Sequence, residues 1–108
     1  MARVVALVTD LMDRSRIGAA IDDVVFVRSL DEVEIGNFDI VVIDLARSGE
    51  AVTIARHTAP ESRIVAFGPH VDDEVLRRAQ AGGADLVLPR SKFFRDVAFA
   101  TFGAATDR

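Results

Sequence analysis

Asp10 and Asp44 are the residues in this chain best placed to do chemistry. Each follows a short apolar run. Val4 to Val8 leads to Thr9 and Asp10, and "FDIVVIDLARSGE" carries Ile40 to Ile43 straight into Asp44. Apolar, β-branched runs of this length read as strands buried on both faces. A carboxylate closing such a strand is either a solvated strand end or part of a site. Two of them converging would suit a hard cation such as Mg²⁺, which keeps several waters and needs only one or two protein carboxylates. Asp10 also has a plainer use, as the cap of the helix that follows it.

The elements that must position these two residues alternate. Val4 to Val8 reads as the first strand, and Asp10 caps a helix through about Ala20. Val24 to Arg28 is the second strand, and the capping-box spacing of Ser29 and Glu32 predicts a short helix after it. Phe38 to Asp44 is the third strand, with Ser48 capping a helix that stops before Pro60. Arg63 to Phe67 is the fourth. Asp72 then caps a helix ended by Gly82 and Gly83, where an αL position is expected. Asp85 to Leu88 is the fifth strand, and Ser91 caps a last helix through about Ala104. Strand alternating with helix throughout implies an α/β fold with a parallel sheet covered on both faces. With right-handed crossovers, the natural topology is doubly wound and flavodoxin-like, in strand order 2-1-3-4-5. Ligands of such sheets sit beyond the carboxyl ends of the strands, at the switch point between strands one and three. That order brings Asp10 and Asp44 into one crevice.

Composition narrows the function classes. A chain of 108 residues, half of them hydrophobic, is expected to form one globular domain over residues 1–108 without an output domain. A net charge of −4 argues against binding nucleic acid by charge. The absence of cysteine excludes disulfides and thiolate sites and agrees with a cytoplasmic location. No apolar run approaches a membrane span, so a membrane partner is not expected.

Three stretches, "VVALVTDLMDRSRI", "FDIVVIDL" and "RIVAFGPHVDDEVLRRAQAGGADLVLPRSKF", give the chain a resemblance to the response-regulator receiver domains over nearly its whole length. The resemblance implies that Asp44 is the phosphoacceptor, charged by a histidine kinase. It implies that the acidic pair holding Mg²⁺ falls on Thr9 and Asp10, with Asp44 as a further ligand. The hydroxyl residue that binds the phosphoryl oxygen in the switched state falls on Gly68, and the phosphate-neutralising lysine falls on Arg90, with Lys92 two residues on. The departures have physical meaning. One acidic ligand of two is missing, so Mg²⁺ binding is expected to be weak. Gly68 has no hydroxyl with which a phosphate could select one loop conformation. Arg90 forks onto anions and is not interchangeable with a compact ammonium. Pro89 precedes the basic residue rather than following it, and "DLARSGE" lacks a proline after the acceptor. The chain reads as an atypical receiver, or pseudo-receiver, of the two-component type.

Other features read more plainly. His70 lies in the loop after strand four, near the crevice; His57 reads as a surface residue of a helix. "VDDEV" is a cap with first-turn acids favoured by the helix dipole. The arginines of "RSRI" and "LRR" fit solvated helix faces. The final helix holds four of the seven phenylalanines. At about 100° per residue, Phe93, Phe94, Val97, Ala100, Thr101 and Ala104 share one arc, while Phe99 and Phe102 point away from it. That outer pair is a candidate surface for a signalling partner or a homodimer. The expected function is therefore a non-enzymatic, stand-alone signalling module that acts by protein contact on a kinase or downstream effector. The alternative is a small-ligand binder or enzyme on a flavodoxin-like sheet. Against it, "TDLMDRS" has no glycine to admit a phosphate close to the backbone.

Overall fold

The apolar runs form strands and the capped segments form helices in the computed structural model, which describes residues 2–46, 50–69 and 72–103. In chain order the elements are β1 (Val4–Leu7), α1 (Leu11–Ala20), β2 (Val25–Val27), two 3₁₀ turns (Leu30–Glu32 and Ile35–Asn37) and β3 (Ile40–Asp44). They continue with α2 (Ala51–Thr58), β4 (Arg63–Gly68), α3 (Asp73–Gly82), β5 (Leu86–Pro89), α4 (Arg90–Arg95) and α5 (Val97–Phe102). The five strands are parallel and lie in the order β2-β1-β3-β4-β5, as the alternation predicts.

Strand periodicity divides the core in two. Val5, Leu7, Val41, Ile43, Ile64 and Ala66 face one side, where Val52 and Ala55 of α2 and Ala79 of α3 cover them. Val4, Ala6, Val42, Val65 and Phe67 face the other, against Ile17 of α1, Phe93 of α4 and Val97 and Ala100 of α5. β1 and β3 are buried at every residue because helices close both faces. Among the described residues no helix is long and apolar enough to cross a membrane.

Two expectations about helices are corrected. The segment after β2 forms two 3₁₀ turns in place of a helix. The Glu32 carboxylate does reach back to the amides of Arg28 and Ser29, at 2.9 and 3.0 Å. However, Leu30, Val33 and Ile35 all pack on the α2 side of the core, and the step from 33 to 35 does not fit a helical repeat. The last helix is also two. Asp96 adopts φ −152° and ψ 85°, ends α4, and caps α5 by accepting the Phe99 amide at 3.0 Å. α4 begins at Arg90, so Ser91 is not its cap; Pro89 precedes it in extended geometry. Pro89 is tolerated in β5 because that strand is an edge. Ser48 lies outside the described residues, and α2 follows Glu50 without a side-chain cap.

The amino end of the sheet is tied by Arg56 of α2. Its guanidinium donates to the carbonyls of Gly83, Pro60 and Ser62 and pairs with Asp85 at 2.8 Å. Gly83, at φ 114°, is the αL stop of α3 that brings its carbonyl there.

Candidate functional site

The parallel order puts the carboxyl ends of β1, β3, β4 and β5 along one edge. Leu7 pairs with Ile43, Asp44 with Phe67, and Gly68 with Pro89, so Thr9, Asp10, Asp44, Gly68 and Arg90 emerge together. This is the convergence expected at the switch point.

Each acid has a distinct environment. Asp10 is exposed and caps α1, its Oδ1 accepting the Asp13 amide at 3.0 Å. Asp44 is only 4% exposed; its Oδ1 accepts the Ala46 amide at 3.0 Å, folding the start of the next loop around the carboxylate. Asp13, which the sequence reading passed over, is 2% exposed and is held by Arg90 in a fork. Nη1 lies 2.8 Å from Oδ2 and Nη2 lies 2.7 Å from Oδ1. The Arg90 guanidinium also lies over the rings of Phe94 and Phe67, at 5.0 and 5.7 Å from their centroids. Its pKa is raised above the usual guanidinium value. The hydrogen bonds to Asp13 are the main cause; burial opposes them, and the charges of Asp13, Asp44 and Asp10 add to them. Arg90 thus feels all three acids while it is bound to one.

A signal for Asp13 was present. It stands four residues before Ile17, the buried core residue of α1, so it belongs to the inward face of that helix. A carboxylate on a buried face needs a partner. Arg14 is likewise more than a solvated charge: its Nε donates to the Val8 carbonyl at 2.6 Å, holding the end of β1.

The remaining candidates fall as follows. Gly68 is buried, and its φ is not positive, so its backbone admits other residues. Lys92 is exposed on α4, and His57 is exposed on α2. His70 lies outside the described residues. Phe99 is 53% exposed, as expected, but Phe102 is half-buried against the α1 side of the core. The outer pair is therefore a single ring. The projected arc itself holds across Asp96, with Val97, Ala100 and Thr101 buried; Phe102, in the last turn of α5, lies at its margin and still reaches the core.

The residues present fit a divalent cation poorly. Among the described residues no three His, Cys, Asp or Glu side chains gather as ligands. Asp13 spends both oxygens on Arg90, Asp10 and Asp44 each give one to an amide, and Thr9 is neutral.

No family model matches the sequence, and no curated protein matches it. Solved structures do match. A response regulator from Hahella chejuensis superposes with a TM-score of 0.80 at 20% identity, over 100% of this chain and 98% of that one. A response regulator protein from Burkholderia pseudomallei, crystallised with a phosphorylated aspartic acid, calcium ion and citrate, gives 0.80 at 14% identity, over 99% and 70%. The BeF₃-activated receiver domain of DrrB, from Thermotoga maritima, gives 0.76 at 18% identity, over 91% and 95%. Identities this low carry the architecture alone. The chain has the five-stranded, flavodoxin-like fold of the response-regulator receiver domains.

Proposed function

We propose that the chain is a receiver-type signalling module that works by contact with protein partners and accepts a phosphoryl group at Asp44, with only a weak conformational response. The observation that carries this reading is the set of strand ends itself. A buried carboxylate closes β3, a guanidinium follows β5, and the strand between them ends on glycine.

In the reaction a carboxylate oxygen of Asp44 attacks the phosphorus of a phosphohistidine or small phosphodonor. The acyl phosphate forms as the donor bond breaks, and the leaving group keeps its electron pair. Arg90, the first residue after β5, is the candidate counter-charge, but it can turn to the phosphate only by releasing Asp13. That would leave a buried carboxylate unpaired, at a cost of a few kcal/mol. Lys92, exposed on α4, is the second candidate phosphate contact. Gly68 supplies no hydroxyl to draw the β4 loop inward, so the phosphate lacks the differential contact that would shift the fold. Asp10 and Asp44 hold Mg²⁺ weakly at best. The partners are a histidine kinase or a downstream effector, in the cytoplasm, with the exposed Phe99 ring of α5 as a contact or homodimer surface. Neither nucleic acid nor a membrane is taken as a partner in this reading: a net charge of −4 offers phosphates no attraction, and no described helix is long and apolar enough to cross a membrane. The module turns over no substrate of its own.

The test is mass spectrometry after exposure to a small phosphodonor with Mg²⁺. A gain of about 80 Da, mapped to Asp44 and lost in Asp44→Asn, is expected. No adduct from either the small donor or a phosphorylated kinase domain would overturn phosphoryl acceptance. Amide shifts induced by beryllofluoride should stay in the loops around Asp44. Cooperative shifts across α3 and β5 would overturn the weak switch.

A further inference from the structure

We propose that Arg90 is the built-in counter-ion of the acidic crevice, standing where a divalent cation would otherwise balance the charge, so that the crevice rests metal-free and any Mg²⁺ must compete with a residue of the chain itself. The inference concerns the same crevice as the proposed phosphoryl chemistry but does not depend on phosphorylation.

Three observations carry it. First, the guanidinium satisfies both oxygens of Asp13 at 2.8 and 2.7 Å, and that carboxylate is 2% exposed, so water has little access to replace it. Second, the cation is seated as well as paired. It lies over Phe94 and Phe67, and these rings pack with Phe93, stacked at 4.5 Å on Phe67 and edge-on at 5.0 Å to Phe94. Arg16 lies over Phe94 as well, at 5.4 Å. A side chain held by a fork and an aromatic seat has little freedom left to lose. Third, the strand register brings Asp10, Asp44 and Arg90 out at the same edge, and the charges of Asp44 and Asp10 join that of Asp13 in raising the Arg90 pKa. A divalent ion entering beside it would meet a fixed positive charge, with Asp13 already spent. Metal and guanidinium are thus alternatives at one site.

The probe is Mn²⁺, followed by the loss of the free-ion electron paramagnetic resonance signal, without any phosphodonor. Wild type is compared with Arg90→Met, which keeps an apolar stem over the rings and removes the charge. Arg90→Met should bind Mn²⁺ at least about tenfold more tightly, the effect of lifting a unit charge from a divalent one across a few ångströms of hydrated crevice. Adding Asp44→Asn to that variant should abolish the gain. Equal affinity in wild type and Arg90→Met would overturn the proposal. Should Arg90→Met fail to give a native circular dichroism spectrum, Asp13→Asn and the wild type decide. Asp13→Asn frees Arg90 toward Asp10 and Asp44, so it should bind Mn²⁺ no better than wild type, and tighter binding would refute the idea. In wild type the Arg90 Nε–H resonance should hold its position through a millimolar Mg²⁺ titration. Its displacement by a tightly bound ion would refute the idea equally.

Discussion

Breaking the Asp13–Arg90 pair from its two ends should cost different amounts. Arg90→Met strands the Asp13 carboxylate, whose side chain is 4% exposed, whereas Asp13→Asn releases a guanidinium that keeps 33% of its surface in water. Removing one partner of a fully buried pair costs about 3–5 kcal/mol. The part of Arg90 in solvent discounts this, because water already screens that side of the pair, to about 2 kcal/mol for Arg90→Met. Asp13→Asn should cost about 1 kcal/mol, since asparagine still accepts one hydrogen bond and Asp10 and Asp44 remain near the guanidinium. In urea unfolding, with a slope of about 1–3 kcal/mol/M, Arg90→Met should lower the midpoint by about 1 M and Asp13→Asn by roughly half that. The double variant Asp13→Leu with Arg90→Met should recover stability relative to Arg90→Met alone, because no buried charge is left. The reasoning fails if Arg90→Met and Asp13→Asn cost the same, or if the double variant is the least stable of the set.

Three further outcomes are expected. Phe99→Ser should leave the unfolding free energy within about 0.5 kcal/mol of wild type while lowering the sedimentation mass or abolishing partner capture, whereas Phe102→Ser should cost about 1.5 kcal/mol or more, because only Phe102 packs on the core. Gly83→Ala should destabilise by about 1–3 kcal/mol in the same assay, since φ is 114° there and a Cβ would lie 2.5 Å from Arg56 Cγ. Gly68→Thr should fold, its φ not being positive, and should widen the beryllofluoride-induced shifts beyond the loops around Asp44. The stability gap between wild type and Arg90→Met has a defined pH sense. A folded-state pKa raised above the unfolded value adds stability that is complete below the unfolded value and lost only as pH rises through the folded one. For a guanidinium that window is strongly alkaline, so titration of Arg90 should not change the gap between neutral pH and about pH 10.

What was legible in the chain follows from how local each determinant is. Continuous apolar runs specified β1, β3 and β4. Asp10, Asp72 and Gly83 marked helix ends because a cap or an αL stop acts within a few residues. The strand order came from a chirality rule with few solutions. Asp44 was visible because a charge closed an apolar run. For Asp13 only the helix face was legible, through its spacing from Ile17; its pairing was hidden because Arg90 lies 77 residues away and "DLMDRS" looks like any acidic first turn. The break at Asp96 was hidden for a related reason. An unbroken apolar arc fits one helix or two short ones, and only the cap at Phe99 distinguishes them. The turns after β2 show a capping box starting a segment whose packing then stopped it.

The staple at Arg56 has a consequence for how the molecule breathes. Its donors bind the carbonyls of Gly83, Pro60 and Ser62, and none of these groups faces the crevice. The Asp85 carboxylate also accepts the Ile64 amide at 2.8 Å, fastening the start of β4 to the turn before β5. Solvent exchange of backbone amides should therefore be uneven along the strands. At the amino edge, Ile64 and its neighbours cannot open without dismantling α2, β4 and the α3 stop together, so their protection should approach that of global unfolding. At the carboxyl edge the described ties are separate ones, Arg14 to the Val8 carbonyl, Asp44 to the Ala46 amide and Arg90 to Asp13, so amides there should exchange through smaller openings. The two edges then differ in kind: one staple locks the amino edge as a unit, and the edge that carries the acids is held contact by contact.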